Sequence, residues 1–218
     1  MEVIVSDLHL GSPTCQDDKI NYFLKHLPEH TTRLILNGDV LEGINCPLQK
    51  AHWKILHRLR KLSQKMEIIW IKGNHDDKAF EVAHLVAANF CNELSFVSGG
   101  RTILCRHGHM YDNFLENHPI ITLVSDWIYM GIQKISRELA VAIKKKSKIF
   151  IRCTEQIKIG AIKEAIQRKA DVVICGHTHF AEHVKSPIEY VNSGCWTNHH
   201  CHYVQVENGE VSLVEAKV

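Results

Sequence analysis

Five short polar clusters along this chain carry side chains able to hold a metal ion or move a proton: SDLH (6–9), NGD (37–39), GNHD (73–76), HGH (107–109) and GHTH (176–179). Together they offer Asp7, His9, Asp39, Asn74, His177 and His179, with His107 or His109 from the fourth cluster. Carboxylate, amide and imidazole groups with no thiolate suit a divalent cation of the Mn, Fe or Zn kind, rather than calcium or an iron–sulfur cluster. So many ligands exceed what one ion takes when positions stay open for water and substrate. Two divalent ions sharing a carboxylate use them better, and Asp39 is the natural bridge. His75 and Asp76 follow Asn74 directly. Singly, each cluster has a plainer reading: a helix cap for SDLH, a turn for NGD or GNHD, a satisfied histidine for the others. Jointly, those plainer readings fail.

What brings the clusters together is their place in the chain. Each follows a short apolar run rich in Val and Ile: EVIV (2–5), RLIL (33–36), EIIWI (67–71), RTILC (101–105) and DVVIC (171–175). Such runs predict buried strands, and in α/β sheets ligands gather at the carboxyl ends of strands. A two-residue spacing, as in Asp7/His9 and His177/His179, lets both side chains face one way as a strand ends. Helical patterns lie between the strands. Ile20, Phe23, Leu24 and Leu27 share one face, as do Ile55, Leu56, Leu59 and Leu62, and KAFEVAHLVAANF (78–90) is apolar enough to be a packed helix. The alternation predicts a layered α/β fold. Near the end, IEYVNSGCW and CHYVQVENGEVSLVEAK predict antiparallel strands with a turn at Asn208-Gly209, so a mixed sheet or two packed sheets is expected. Residues 113–168 lack strand rhythm and predict a helical insertion on one domain spanning 1–218. It reads either as a lid over an apolar substrate part or as a plain packed cap that could make a dimer contact.

Bulk properties exclude several classes. The chain has 218 residues and a net charge of +2, so charge implies no nucleic-acid partner. Its eight cysteines are scattered without a C-x-x-C pair. No signal peptide and no run of ~18 apolar residues is evident, so a cytoplasmic protein with reduced thiols is expected. The basic run KKKSK (144–148) reads as a solvated helix end, with peripheral contact to an inner membrane as the alternative. CWTNHHCH (195–202) has the composition of a zinc site. The strand expected after it would turn alternate residues to opposite faces.

In this order SDLHLG, GDVLEG, GNHD, HGH and GHTH resemble the signature of calcineurin-like metallophosphoesterases. SDLHLGS, ICGHTH and YVNSGCW are similar to the group of UDP-2,3-diacylglucosamine diphosphatase-like phosphohydrolases. The resemblance implies an αββα sandwich with a binuclear centre. One ion would be held by Asp7, His9, Asp39 and His179, the other by Asp39, Asn74, His107 and His177. His107 rather than His109 matches, because the ligand immediately precedes the glycine. His109, Asp76 and Asp112 would then support ligands from behind, while His75, beside Asn74, would serve the leaving oxygen as acid or hydrogen-bond donor with Asp76 holding its ring. The implied reaction is cleavage of a phosphodiester or pyrophosphate bond by a hydroxide shared between the two ions, Mn being expected and Fe or Zn the alternatives. The implied substrate is a phosphate-containing small molecule or a nucleotide-lipid. A phosphodiesterase or nucleotidase on a soluble substrate, or a non-catalytic scaffold, are the rivals. Three positions depart from the group: His75 where the lipid-pathway enzymes carry arginine, Glu42 where many relatives carry aspartate, and Cys195 where GDW is common.

Overall fold

The computed structural model describes residues 1–43, 45–77, 79–112 and 147–218. The strands predicted at 2–5, 67–71 and 101–105 form with those bounds: β1 (Glu2–Val5), β3 (Glu67–Ile71) and β6 (Arg101–Cys105). β2 (Arg33–Asn37) and β7 (Val172–Cys175) differ from expectation by one residue. The remaining strands are β4 (Asn89–Cys91), β5 (Leu94–Ser98), β8 (Glu182–Val184), β9 (Glu189–Asn192), β10 (His202–Glu207) and β11 (Glu210–Glu215). They form two mixed sheets, in the orders β11-β10-β1-β2-β3-β4 and β5-β6-β7-β9-β8.

Apolar runs that look continuous in sequence divide by strand alternation between two interfaces. Ile4, Ile35, Ile69, Ile71, Ile103, Val172 and Ile174 point between the sheets, with Val204, Val206 and Val211 of the terminal strands. Their neighbours Val3, Val5, Leu34, Leu36, Ile68 and Trp70 point outward, against helices α1 (Asp17–Lys25), α2 (Lys50–Leu62) and α3 (Phe80–Leu85). On the second sheet Leu104, Val173, Cys175 and Tyr190 pack under Ala161 and Ala165 of α4 (Lys148–Gln167). The layers are therefore helix, sheet, sheet, helix, as expected.

Two expectations change. The helix read over 78–90 is short, because Ala87 turns left-handed (φ 55°). The Ala88 N–H then closes on the Ala83 carbonyl, and the chain re-enters the first sheet as β4. The terminal strands do not pair as one unit. β9 joins the second sheet, parallel to β7 and antiparallel to β8, whereas β10 and β11 form a hairpin on β1 in the first. Asn208 (φ 49°) and Gly209 (φ 81°) make its turn, as expected. Of the insertion, residues 113–146 lie outside the described residues. The described remainder is α4, and its small Ala161 and Ala165 let it seat closely on the sheet.

Candidate metal centre

All five clusters lie just beyond strand ends, at one end of the two sheets. Asp7, His9 and Asp39 leave the first sheet; His107, His177 and His179 leave the second. The ligand atoms of Asp7, His9 and His179 all lie within 4.8 Å of one another, and so do those of Asp39, His107 and His177. His179 Nε2 is 3.1 Å from Asp7 Oδ1 and 3.1 Å from His9 Nε2. His107 Nε2 is 3.1 Å from Asp39 Oδ2. Asn74 sits between two residues that touch Asp39: a Cβ on Gly73 would meet Asp39 Oδ1 at 2.1 Å, and the His75 N–H donates to that same oxygen at 2.9 Å.

The backbone that aims these groups is unusual. Asp7 (φ 54°), His9 (φ 50°), Asp39 (φ 52°), His177 (φ 66°) and His179 (φ 59°) are all left-handed. Such residues cost roughly 1–3 kcal/mol each and cluster at functional sites. Asp7 and His9 thus meet in one group through left-handed residues past the strand, not through the strand alternation expected, and His177 and His179 fall in different groups. Backbone bonds hold the turns: Asp7 N–H to Gly38 O (3.0 Å), His9 N–H to Asp39 O (3.0 Å), and Trp196 N–H to Asp7 O (2.9 Å). Gly38 (φ +89°) has to be glycine, since a Cβ there would lie 2.3 Å from the His107 ring.

The imidazoles are oriented from behind. His9 Nδ1 donates to Glu42 Oε2 (2.7 Å), His107 Nδ1 to the Asn37 carbonyl (2.9 Å), and His177 Nε2 to Asp112 Oδ2 (3.1 Å). Each bond fixes the tautomer and leaves the opposite nitrogen's lone pair for a cation. His107 Nε2 is buried beside Asp39 Oδ2 at 3.1 Å, an imidazole nitrogen and a carboxylate oxygen presented together as a cation's ligands are. The donor set therefore fits divalent metal. Burial works to raise the Asp7 and Asp39 carboxyls, but adjacent imidazoles outweigh it and hold both well below the usual range. Burial opposes a proton on His107, but Asp39 and Asp7 push it up to about 9. These opposite shifts describe a buried cluster built for positive charge.

The expected Asp76–His75 pairing is not present. Asp76 is fully buried and accepts from the N–H groups of Leu41 (3.1 Å), Val40 (3.4 Å) and Gly73 (3.1 Å) and from Trp70 Nε1 (3.2 Å). The His75 ring is exposed, donates from Nδ1 to the Glu42 carbonyl (2.8 Å) and meets the His9 ring edge-on at 5.0 Å. His109 flanks the second group, its ring 5.6 Å from that of His107. Burial, then the neighbouring His107 and His177, pushes His109 down to about 4.

Sequence reasoning missed Asn37, whose Nδ2 reaches the carbonyls of Arg106 (3.2 Å) and Ile174 (3.1 Å) and so ties the two sheets together beside the ligands. It also missed Ser6, whose hydroxyl bonds Asp7 and Ser193. Their only sequence signal was a place in the SDLH and NGD clusters. CWTNHHCH is not strand before His202. Among the described residues, no metal-holding group includes its cysteines or histidines. No described helix is long and apolar enough to cross a membrane.

A UDP-2,3-diacylglucosamine hydrolase of Blochmanniella pennsylvanica is 24% identical, covering 90% of this chain and 88% of that protein. A DNA polymerase II small subunit of Halobacterium salinarum is 26% identical over 88% of this chain, which spans only 43% of that protein's length. In fold the chain is similar to a structure described as a novel archaeal phosphodiesterase, with a TM-score of 0.53, 17% identity and 98% of each chain covered. The family description "Calcineurin-like phosphoesterase" matches residues 3–181; the chain belongs to that family of phosphoester hydrolases.

Proposed function

We propose that the protein is a binuclear metal-dependent hydrolase of a phosphodiester or pyrophosphate bond. In this reading Asp7, His9, Asp39 and His179 hold one divalent ion, and Asp39, Asn74, His107 and His177 hold the other. The observation that carries it is the convergence of carboxylate and imidazole ligand atoms in two groups, Asp7/His9/His179 and Asp39/His107/His177, each within 4.8 Å. Two divalent cations would neutralise phosphoryl oxygens and make a water acidic enough to attack phosphorus at neutral pH. Mn²⁺ is the leading ion, with Fe and Zn as alternatives. The chain's own groups do the rest. Glu42, Asn37 and Asp112 hold the imidazoles in their ligating tautomers, and His75 presents Nε2 to the leaving oxygen. Asp76 takes a positioning role, fixing the loops after β2 and β3.

Purified protein with Mn²⁺ is expected to hydrolyse bis(p-nitrophenyl) phosphate, and EDTA to abolish the activity. Inactivity across metals and esters would favour a non-catalytic scaffold. Substrate class is then read from a panel of UDP-diacylglucosamine, other nucleoside diphosphate conjugates, simple esters and a DNA oligonucleotide. The names of the bacterial and haloarchaeal relatives supply the first and last members.

A further inference from the structure

One carboxylate on α4 stands behind the loop that carries His107 and the partner of His177. Glu164 accepts from Arg106 Nη1 through Oε1 (2.5 Å) and from the Tyr111 hydroxyl through Oε2 (2.5 Å). Arg106 directly precedes His107. Tyr111 directly precedes Asp112, which accepts from His177 Nε2 at 3.1 Å. Both histidines of the Asp39/His107/His177 group are therefore tied to partners of the same side chain.

The surroundings hold Glu164 and Tyr111 in register. Tyr111 ends a short 3₁₀ turn, His109–Tyr111, and its side chain sits against the backbone of α4: a Cβ on Gly160 would meet it at 2.9 Å. Gly160 and Glu164 lie one turn apart on one face of the helix. The same stretch of α4 thus seats the ring and takes its hydroxyl. Arg168 Nε donates to Glu164 Oε1 at 2.7 Å. Glu93, between β4 and β5, pairs with both Arg106 (3.2 Å) and Arg168 (3.0 Å). An exposed ion pair would restrain little, because water screens it. Here the Arg106 and Glu164 side chains are only 18% and 16% exposed, and a connected network fixes geometry better than its separate pairs.

We propose that Glu164 is a positioning residue for the second ion's ligands, holding His107 by way of Arg106 and His177 by way of Tyr111 and Asp112. It acts through the chain from 106 to 112, so its influence falls on the Asp39/Asn74/His107/His177 ion rather than on both. The inference rests on the proposed metal centre.

The test is calorimetric titration of the full chain with Mn²⁺, comparing wild type with Glu164→Ala, Tyr111→Phe and Glu155→Ala, each shown to be folded by circular dichroism. Glu155 lies on the same helix, 54% exposed, and serves as the control. Glu164→Ala is expected to weaken one of two binding events by about 10-fold, the low end for groups behind a ligand, and to leave the other unchanged. Tyr111→Phe keeps the ring and removes only the hydroxyl. It is expected to weaken the same event to a smaller degree, and it carries the comparison if Glu164→Ala does not fold. Unchanged affinities in both variants, an equal loss at both events, or the same loss in Glu155→Ala would overturn the proposal. A second readout needs no metal. In the metal-free chain the ring ¹⁵N shifts of His177 should move in Tyr111→Phe while those of His9 stay, and identical His177 shifts would overturn the link through Asp112. Wild type that binds no Mn²⁺ would overturn the metal centre itself, and the metal-free shifts would still decide whether Glu164 and Tyr111 position His177.

Discussion

His75 Nδ1–H is committed to the Glu42 carbonyl, which can only accept. Only Nε2 is left for a substrate, so donation to a leaving oxygen requires the imidazolium form. His75→Ala is expected to keep both metals and to lower turnover by roughly 10²- to 10⁴-fold, the usual weight of general-acid catalysis. Metal content by plasma emission, measured beside turnover, checks both halves. Asp39 faces His107 directly and lies 3.9 Å from His9 Nε2. Asp39→Ala is therefore expected to lose both ions, and retention of two would remove its bridging role. The proton on His107 gives a pH dependence. Its pKa is raised to about 9, and a cation at Nε2 has to displace that proton. Apparent metal affinity should rise as pH rises toward 9 and level off above it. Titrations in buffers of differing ionisation heat should show the released proton. That these residues are candidates for metal and proton chemistry was legible in their types and spacing. Which partner each one touches was not, as the misassigned Asp76–His75 pair illustrates.

At the scale of elements, the loops after β2 and β3 are joined by Asp76, which gathers backbone donors from both and the Trp70 indole from β3 itself. Burial, with Asp39 nearby, pushes this carboxyl above its usual range, while the donors favour its charge. Asp76→Ala would leave those buried donors unpaired, and each such group costs about 1–3 kcal/mol. A loss of about 3 kcal/mol or more in urea unfolding is expected; a change below about 0.5 kcal/mol, typical of surface positions, would refute this hub role. The strands carrying motifs were readable because they are short and β-branched. β4, β5 and β8 were not: LSFVS alternates weakly, and Asn89–Cys91 follows a helix pattern that only the left-handed Ala87 interrupts.

At the scale of the molecule, the candidate ligands come from both sheets. Asp7 and Asp39 leave the first, and His107, His177 and His179 leave the second. Bound cations would clamp the sheets at the end where Asn37 already ties them. Chelation should therefore lower the melting temperature as well as activity, since a ligand that binds only the folded chain stabilises it by about 4 kcal/mol at a thousandfold excess over its Kd. Differential scanning calorimetry with Mn²⁺ or EDTA reads the shift. Coincident melting curves would count against a ligand set shared between sheets.

The sequence by itself determined the layered α/β class, the strand ends that carry chemistry and the divalent-metal character of the ligand set, because residue type and spacing are local properties. The tertiary structure decided the rest. It divided the apolar runs between two interfaces, sent β9 and β10 to different sheets, aimed the candidate ligands through left-handed residues beyond the strands, and placed Glu42, the Asn37 carbonyl and Asp112 behind three of the histidines. These depend on contacts between residues far apart in the chain, such as Asn37 with Arg106 and Ile174, which no local pattern encodes.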